Sequence, residues 1–322
     1  MFGGREVSRG TLIYAAQRLV LITLTAIVVS SIVFIGIHQL PGNALASERR
    51  INPATEAALL HHYHLDVPWP QQYLIWITGL AHGDLGESLV NQGTQITPLL
   101  LREAQTSVTL GLAAVVVTIV VGMSLGVLAA IRQNTWVDYT ASTAAVIGYS
   151  VPSFVWAFLL ILLTVSGFYA WTGGQIYEDI GWGKIEQIPV PALALGLPYA
   201  AIVARLTRAS MLEVIRQDYV RTAWAKGLSA KVVILRHALR NALIPVTSIL
   251  GPLVTGIITG SVVIEFLFGI PGLGKEFVTS ILSRDYNIVI GVFTFYAALV
   301  GLANLIVDLL YPILDPRIRY GN

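Results

Sequence analysis

LVLITLTAIVVSSIVFIGI, residues 19–37, carries no charged side chain and no proline. About 20 apolar residues in a helix are enough to cross the hydrocarbon core of a bilayer. In lipid the backbone must satisfy its own N–H and C=O groups, so a run of this kind folds as a helix. Arg5, Arg9 and Arg18 precede it in the manner of a signal peptide. The apolar run is too long for a signal h-region and lacks an A-x-A-like cleavage site, so it reads as a retained anchor.

Working outward, five further runs qualify as spans: 108–131, 139–167, 191–212, 245–268 and 288–311. Pro152 falls inside the third and predicts a kink there. The composition agrees, since 12% of the 322 residues are charged and 55% are hydrophobic. Soluble domains carry about 25% charged residues. The expected fold is an all-α integral membrane bundle of six transmembrane helices. With no cysteine, disulfides, thiolate metal sites and a Cys nucleophile are excluded. A net charge of +2 gives no footprint for nucleic acid.

Lys and Arg placement sets the orientation, because cytoplasmic flanks are enriched in both. With the N-terminus (1–18) inside, one side holds fourteen of the twenty Lys and Arg residues. The other side holds Arg49, Arg50, Arg102, Lys184, Lys275 and Arg284. Both termini, including the tail 312–322, are therefore expected in the cytoplasm. Loops 38–107 and 269–287 fall outside, and loop 213–244 is the largest inside. Arg205 and Arg208 near the end of span four snorkel toward headgroups. YLIWITGLAHGDLGESL in the first outer loop predicts a short helix on the bundle or the interface, then a glycine-rich turn.

Loop 213–244 is basic yet rich in small residues. Residues 218–226 form a good helix ending at Gly227, a natural C′ residue. Ser229 is placed to cap a second helix, in which Val232, Leu235, Leu239 and Ala242 share a face. Pro245 then opens span five, at home in a first helical turn. A belt on anionic headgroups would use the Arg and Lys side chains; Ala223, Ala225 and Gly227 suggest instead close docking into another protein.

Other features admit two uses. Ser248, Thr255 and Thr259 lie within about 40° on one helical face; the stripe lines an aqueous path or bonds a neighbouring helix. Glu265 and Asp308, near span ends, are proton-relay groups or structural hydrogen-bonding acids. His61, His62 and His64 are metal-contacting imidazoles or a solvated polar turn. GIPGLGK at 269–275 matches seven positions of a P-loop, but Glu276 stands where Ser or Thr should hold magnesium, and a span precedes it instead of a strand. It reads as a capping or re-entrant turn. No hydrolase constellation stands out.

Five ordered stretches carry a family resemblance: GDLGESL (83–89), GYSVPSFVWAFLLILL (148–163), DYVRTAWAKGLS (218–229), VIEFLFGIPGLGKEF (263–277) and DLLYPILDPRIRYG (308–321). Together they resemble the permease subunits of ATP-binding-cassette importers, in the dipeptide/oligopeptide/nickel branch and its first, B-type subunit. Residues 218–229 are similar to that family's EAA loop, although Arg221 occupies the place of the naming acid. The resemblance implies a type I importer permease of the bacterial inner membrane that passes short peptides or, alternatively, nickel chelates or other small solutes. A stand-alone secondary carrier or channel is the reading of another class. It also implies a related second permease subunit, two ATPase subunits holding ATP and Mg, and an extracytoplasmic solute-binding protein. This chain would hold no cofactor or metal and would not itself be an enzyme. Tyr219, Thr222, Ala223, Lys226, Gly227, Leu228 and Ser229 would form the ATPase-coupling contact. Ser248, Thr255 and Thr259 would line the path, and Glu265, Pro271, Gly272 and Gly274 would stand at an external gate or turn.

Overall fold

The computed structural model describes residues 9–39, 52–173 and 181–314. The expected cytoplasmic contribution of Arg5, the outer-loop Arg49 and Arg50, and the tail from 315 onward lie outside the described residues. Among the described residues fourteen α-helices follow in order: α1 Arg9–His38, α2 Pro53–His62, α3 Trp69–Ala81, α4 Ile96–Ile131, α5 Trp136–Ser150, α6 Ser153–Thr172, α7 Pro189–Ile215, α8 Asp218–Ala225, α9 Ala230–Val232, α10 Arg240–Ala242, α11 Ile244–Ser248, α12 Leu250–Phe268, α13 Leu273–Ser283 and α14 Tyr286–Leu314. A π-helical segment, Val233–Leu239, joins α9 to α10. Among the described residues six stretches are long and apolar enough to cross a membrane: Leu12–His38, Ile96–Ile131, Ser153–Thr172, Ile185–Ile215, Gly251–Phe268 and Tyr286–Leu309.

Several helix ends differ from the sequence reading, each for a local reason. The first helix takes in Arg18, whose guanidinium donates to Tyr14 Oη at 2.8 Å and so travels with a partner. The expected 139–167 span is two helices, because Pro152 has no N–H to donate and holds Val151 in an extended conformation (ψ 124). The expected 245–268 span is likewise divided at Ile249, which leaves Ser248 on α11 and Thr255 and Thr259 on α12. The turn expected at 269–287 contains a helix, α13. Gly269, in the left-handed region at φ 68, ends α12: its N–H reaches Phe266 O and that of Ile270 reaches Glu265 O. These are the paired bonds of a Schellman cap.

The chain divides into two compact units: residues 1–12, 108–270 and 303–322, and residues 13–107 and 271–302. The first is organised around α7. Lipid offers apolar helices no net reward for meeting one another, so association depends on how closely the backbones approach. A Cβ at Gly122 would lie 2.7 Å from Ala200 O, one at Gly126 2.6 Å from Ala204 O, and one at Gly196 2.8 Å from Ala114 O. These glycines let α4 and α7 run backbone against backbone over three turns. A Cβ at Gly148 of α5 would lie 3.2 Å from the Ala201 Cβ, a tight side-chain contact. The buried core beside this seam includes Leu110, Ala114, Leu195, Ile257 and Ile264.

The second unit packs the first turns of α4 (Ile96, Leu100, Ala104) against Leu273 of α13 and Ile288 and Val292 of α14. Leu273 donates its N–H to Ser107 Oγ at 2.9 Å, which ties the start of α13 to α4.

Gly126→Ala inserts a methyl against a carbonyl that cannot move aside, and overpacking of this kind costs about 1–3 kcal/mol. The variant is expected to unfold several degrees earlier in detergent than the parent. Gly111→Ala, where a Cβ meets nothing within 4 Å, is expected to melt at or above the parent. Equal melting of the two variants would contradict the seam.

Candidate functional site

The segment after α7 is built as a stiff projection. Helix α8 buries Val220 and Ala223 against Val233 and Val214. Gly227 stands at φ 75, with its own N–H on Trp224 O at 2.9 Å and the N–H of Leu228 on Ala223 O at 3.4 Å. This second Schellman cap turns the chain back sharply. Tyr219 Oη accepts a 2.7 Å bond from Asn241 Nδ2, tying α8 to α10. The faces left exposed hold Asp218, Tyr219, Arg221, Thr222, Trp224, Lys226, Gly227, Leu228 and Ser229.

Two expectations for this segment change. Ala223 is 3% exposed, so its small side chain serves the packing of α8 on its own chain and is not offered outward. Ser229 occupies the N-cap position of α9 but makes no capping bond with its side chain. The register of the second helix also differs. Val232 and Leu235 are exposed, whereas Val233, Ala238 and Ala242 are buried. The step from 233 to 238 is five residues, the hydrogen-bonding step of a π-helix, and a 3.6-residue reading cannot anticipate it. Trp224, which the sequence reading did not single out, is 46% exposed. With Val220, Arg216, Gln133 and Ile234 it lines a cavity of about 290 Å³.

The hydroxyl stripe resolves into separate partners. Thr255 Oγ1 donates to Asn304 Oδ1 at 2.6 Å, an interhelical bond between α12 and α14. Thr259 returns its hydroxyl to Thr255 O at 3.0 Å and stays exposed. Ser248, exposed on α11, bonds Ile244 O at 3.3 Å. Glu265 is fully buried in the last turn of α12. In the second unit Pro271 is exposed while Gly272 and Gly274 are buried at the start of α13.

Two buried carboxylates were not legible in the sequence. Asp285, 1% exposed, accepts from Ser88 Oγ and from the N–H groups of Leu89 and Val90. It also accepts from Ile288 N at the start of α14. The GDLGESL stretch is thereby fastened to α14, helped by Asn287 Nδ2 donating to Glu87 O at 2.9 Å. His62 Nε2 lies 3.4 Å from Glu87 Oε2, and His64 adopts φ 54. Among the described residues no three His, Asp or Glu side chains converge as metal ligands would.

The other carboxylate is Asp138 of α5. Arg208 of α7 grips it in a bidentate pair, Nε to Oδ1 at 2.6 Å and Nη2 to Oδ2 at 2.8 Å. Asn134 N and Ser142 Oγ add bonds at 3.0 and 3.3 Å. The Arg208 hydrogen bonds outweigh the opposing effect of burial and bring the Asp138 carboxyl down from 3.8 to about 2.

The model of the family described as "Binding-protein-dependent transport system inner membrane component" matches residues 122–320. The chain belongs to this family. It is 40% identical over 306 residues to a dipeptide transport system permease protein of Bacillus subtilis, covering 95% of this chain and 97% of that one. It is 41% identical over 298 residues to an oligopeptide transport system permease protein of Escherichia coli K12, covering 92% and 95%. Among solved structures, the MetNI methionine ABC transporter in an inward-facing conformation shares the fold. The TM-score is 0.53 at 19% identity, over 69% of this chain and 97% of that one. The six-span bundle is thus the type I permease fold of an ABC importer, and the chain is an inner-membrane transport component. The family match takes in the Gly122 and Gly126 contacts of the α4–α7 seam, the Asp138–Arg208 pair and the whole α8–α10 projection.

For this permease the Asp138 pair has a pH signature. A carboxyl lowered in the folded state contributes stability above its unfolded value, and that contribution disappears as pH falls through the folded value. Asp138→Asn is therefore expected to melt earlier than the parent at neutral pH, with the gap closing as pH drops from about 4 toward 2. A gap that stays constant down to pH 3 would contradict the pair's role.

Proposed function

We propose that this chain is the B-type permease subunit of an ATP-driven importer of short peptides and forms half of the translocation path. Near-full-length similarity to two peptide-transport permeases is the observation that carries the reading. Its partners are a related permease subunit, two ATPase subunits that hold ATP and Mg, and an extracytoplasmic solute-binding protein. Both termini and the α8–α10 projection face the cytoplasm, where fourteen of twenty Lys and Arg residues gather.

Coupling runs through the exposed face of α8 and the turn after it: Tyr219, Thr222, Lys226, Gly227, Leu228 and Ser229, joined by Trp224. Ala223 holds that face in position from behind. Closure of the ATPase subunits pushes on this face. The push passes through Val220, Ala223 and Val233 into the end of α7, and from α7 into the helices packed on it. Packed interfaces switch between discrete arrangements, so these helices tilt as a block.

The P-loop-like stretch supports an energy source outside the chain. The N–H groups of Gly269 and Ile270 are spent on the α12 cap and that of Leu273 on Ser107. Glu276, at the magnesium position of the motif, is raised above its ordinary value mainly by burial, and as a carboxylate it would repel phosphate. These features support placing the ATP chemistry in the partners.

Gly227→Pro tests the coupling assignment, because proline fixes φ near −65° where the chain needs 75°. In proteoliposomes holding the complete transporter, the variant is expected to insert and assemble normally. It should hydrolyse ATP without the stimulation normally given by loaded binding protein, and lose most peptide uptake. Uptake at the parental rate would overturn the assignment of this turn. Uptake by the isolated chain without an ATPase would overturn the importer reading itself.

A further inference from the structure

The structure contains a helix that none of the six spans includes and that no transport role above employs. Helix α3, Trp69–Ala81, has the sequence WPQQYLIWITGLA with no Asp, Glu, Lys or Arg. We propose that α3 lies in the plane of the membrane interface, with one face against the acyl chains and headgroup boundary of the lipid.

Depth is the first argument. Tyr73 Oη and Ser31 Oγ of α1 are 2.6 Å apart, and the Tyr73 and Phe34 rings lie 5.1 Å apart. His38 Nε2, at the end of the first span, lies 3.2 Å from Gln72 Oε1. Contacts at 31, 34 and 38 follow the side of α1 over about 10 Å at 1.5 Å per residue. On α14, Tyr286, Val289, Ile290 and Phe293 join the same cluster as Tyr73 and Trp76, again over two turns. Helix α3 therefore packs on the flanks of two membrane helices and does not cap their ends. The first span has 27 residues, about 40 Å, against about 30 Å of hydrocarbon. Ser31 is then about 5 Å inside the hydrocarbon, and α3 sits at the depth where interfacial helices bury their apolar side.

The unpartnered face is the second argument. Opposite Tyr73 and Trp76 stand Gln71, Leu74, Ile75, Thr78 and Ala81, all exposed. Leu74 is 60% exposed. Thr78 spends its hydroxyl on Leu74 O at 2.9 Å and Ile75 O at 2.8 Å, so it asks nothing of a solvent. On α1 itself Val28, Ile32 and Ile35 are exposed, so the face of α3 continues an apolar surface already at membrane depth. Trp69, Tyr73 and Trp76 are the aromatic types that collect at that boundary.

The chain has no cysteine, so one introduced thiol reports one place when the partner subunits are also cysteine-free. The complete transporter in liposomes would carry a nitroxide at Leu74→Cys. Ile32→Cys serves as the lipid reference and Gln92→Cys, in an exposed loop, as the water reference. Collision with dissolved oxygen relative to a water-soluble nickel chelate is expected to be severalfold higher at 74 than at 92, and close to that at 32. Chelate access at 74 equal to that at 92 overturns the proposal in favour of water. An immobilised label shielded from both relaxants overturns it in favour of a protein partner. Thr78→Cys carries the same test where Leu74→Cys does not assemble, since Thr78 bonds only within its own helix.

Discussion

Backbone contact between α4 and α7 is the constraint on which the larger unit rests. Water drives apolar faces together, but lipid does not, so membrane helices stay associated through dispersion at short range and a few polar bonds. Gly122, Gly126 and Gly196 bring carbonyls to distances where any side chain would collide. Gly148 adds α5 to the same seam, and the Asp138–Arg208 pair then fastens α5 to α7 with two charge-assisted bonds. The result is a block in which α7 cannot move alone. The α8–α10 projection begins three residues past the end of α7, so its position is inherited from the block.

The spans were legible because hydropathy is a local property, and each apolar run carries its own evidence. Helix ends were less so. Pro152 was visible as a kink, but the full break needs Val151 to leave the helical region, which is a statement about backbone and not about composition. Helix α13 was hidden because its glycine-rich entry looks like a turn and its eleven residues are too few to show a strong period. In the segment after α7 the difficulty was the period itself. Burial at Val233 and Ala238 follows a five-residue step, and a heptad-like reading puts Val232 and Leu235 inside instead.

Charge partners were the least legible feature. Asp138 and Arg208 stand 70 residues apart, and Ser88 and Asp285 stand 197 apart. Nothing in either neighbourhood names the other member, and only the fold brings them together. The sequence did place Arg208 near a span end, where snorkelling to headgroups was the economical reading. The structure gives it a carboxylate instead, which suits a guanidinium that is one-third exposed. Gly227 shows the opposite case. Its role as a left-handed cap followed from its position after a helix former, because few residues other than glycine enter that region without strain.

The coupling role proposed for α8–α10 asks for a segment rigid at its root and free at its surface, and the two demands select different residues. At the root, Val220, Ala223 and Val233 pack together and Tyr219 meets Asn241, so α8, the π-segment and α10 behave as one body. A basic belt held by headgroups alone would have charges as its only attachment, and exposed charge pairs contribute little. Here the charges Arg221, Lys226 and Lys231 are exposed and carry none of that packing. In the proposed coupling role they are available to choose a partner, while small and apolar side chains would keep the partner's push from being absorbed locally. Seen this way, Ala223 matters because it is hidden: a larger side chain there would lift α8 away from Val233 and loosen the joint before any contact outside the chain was lost.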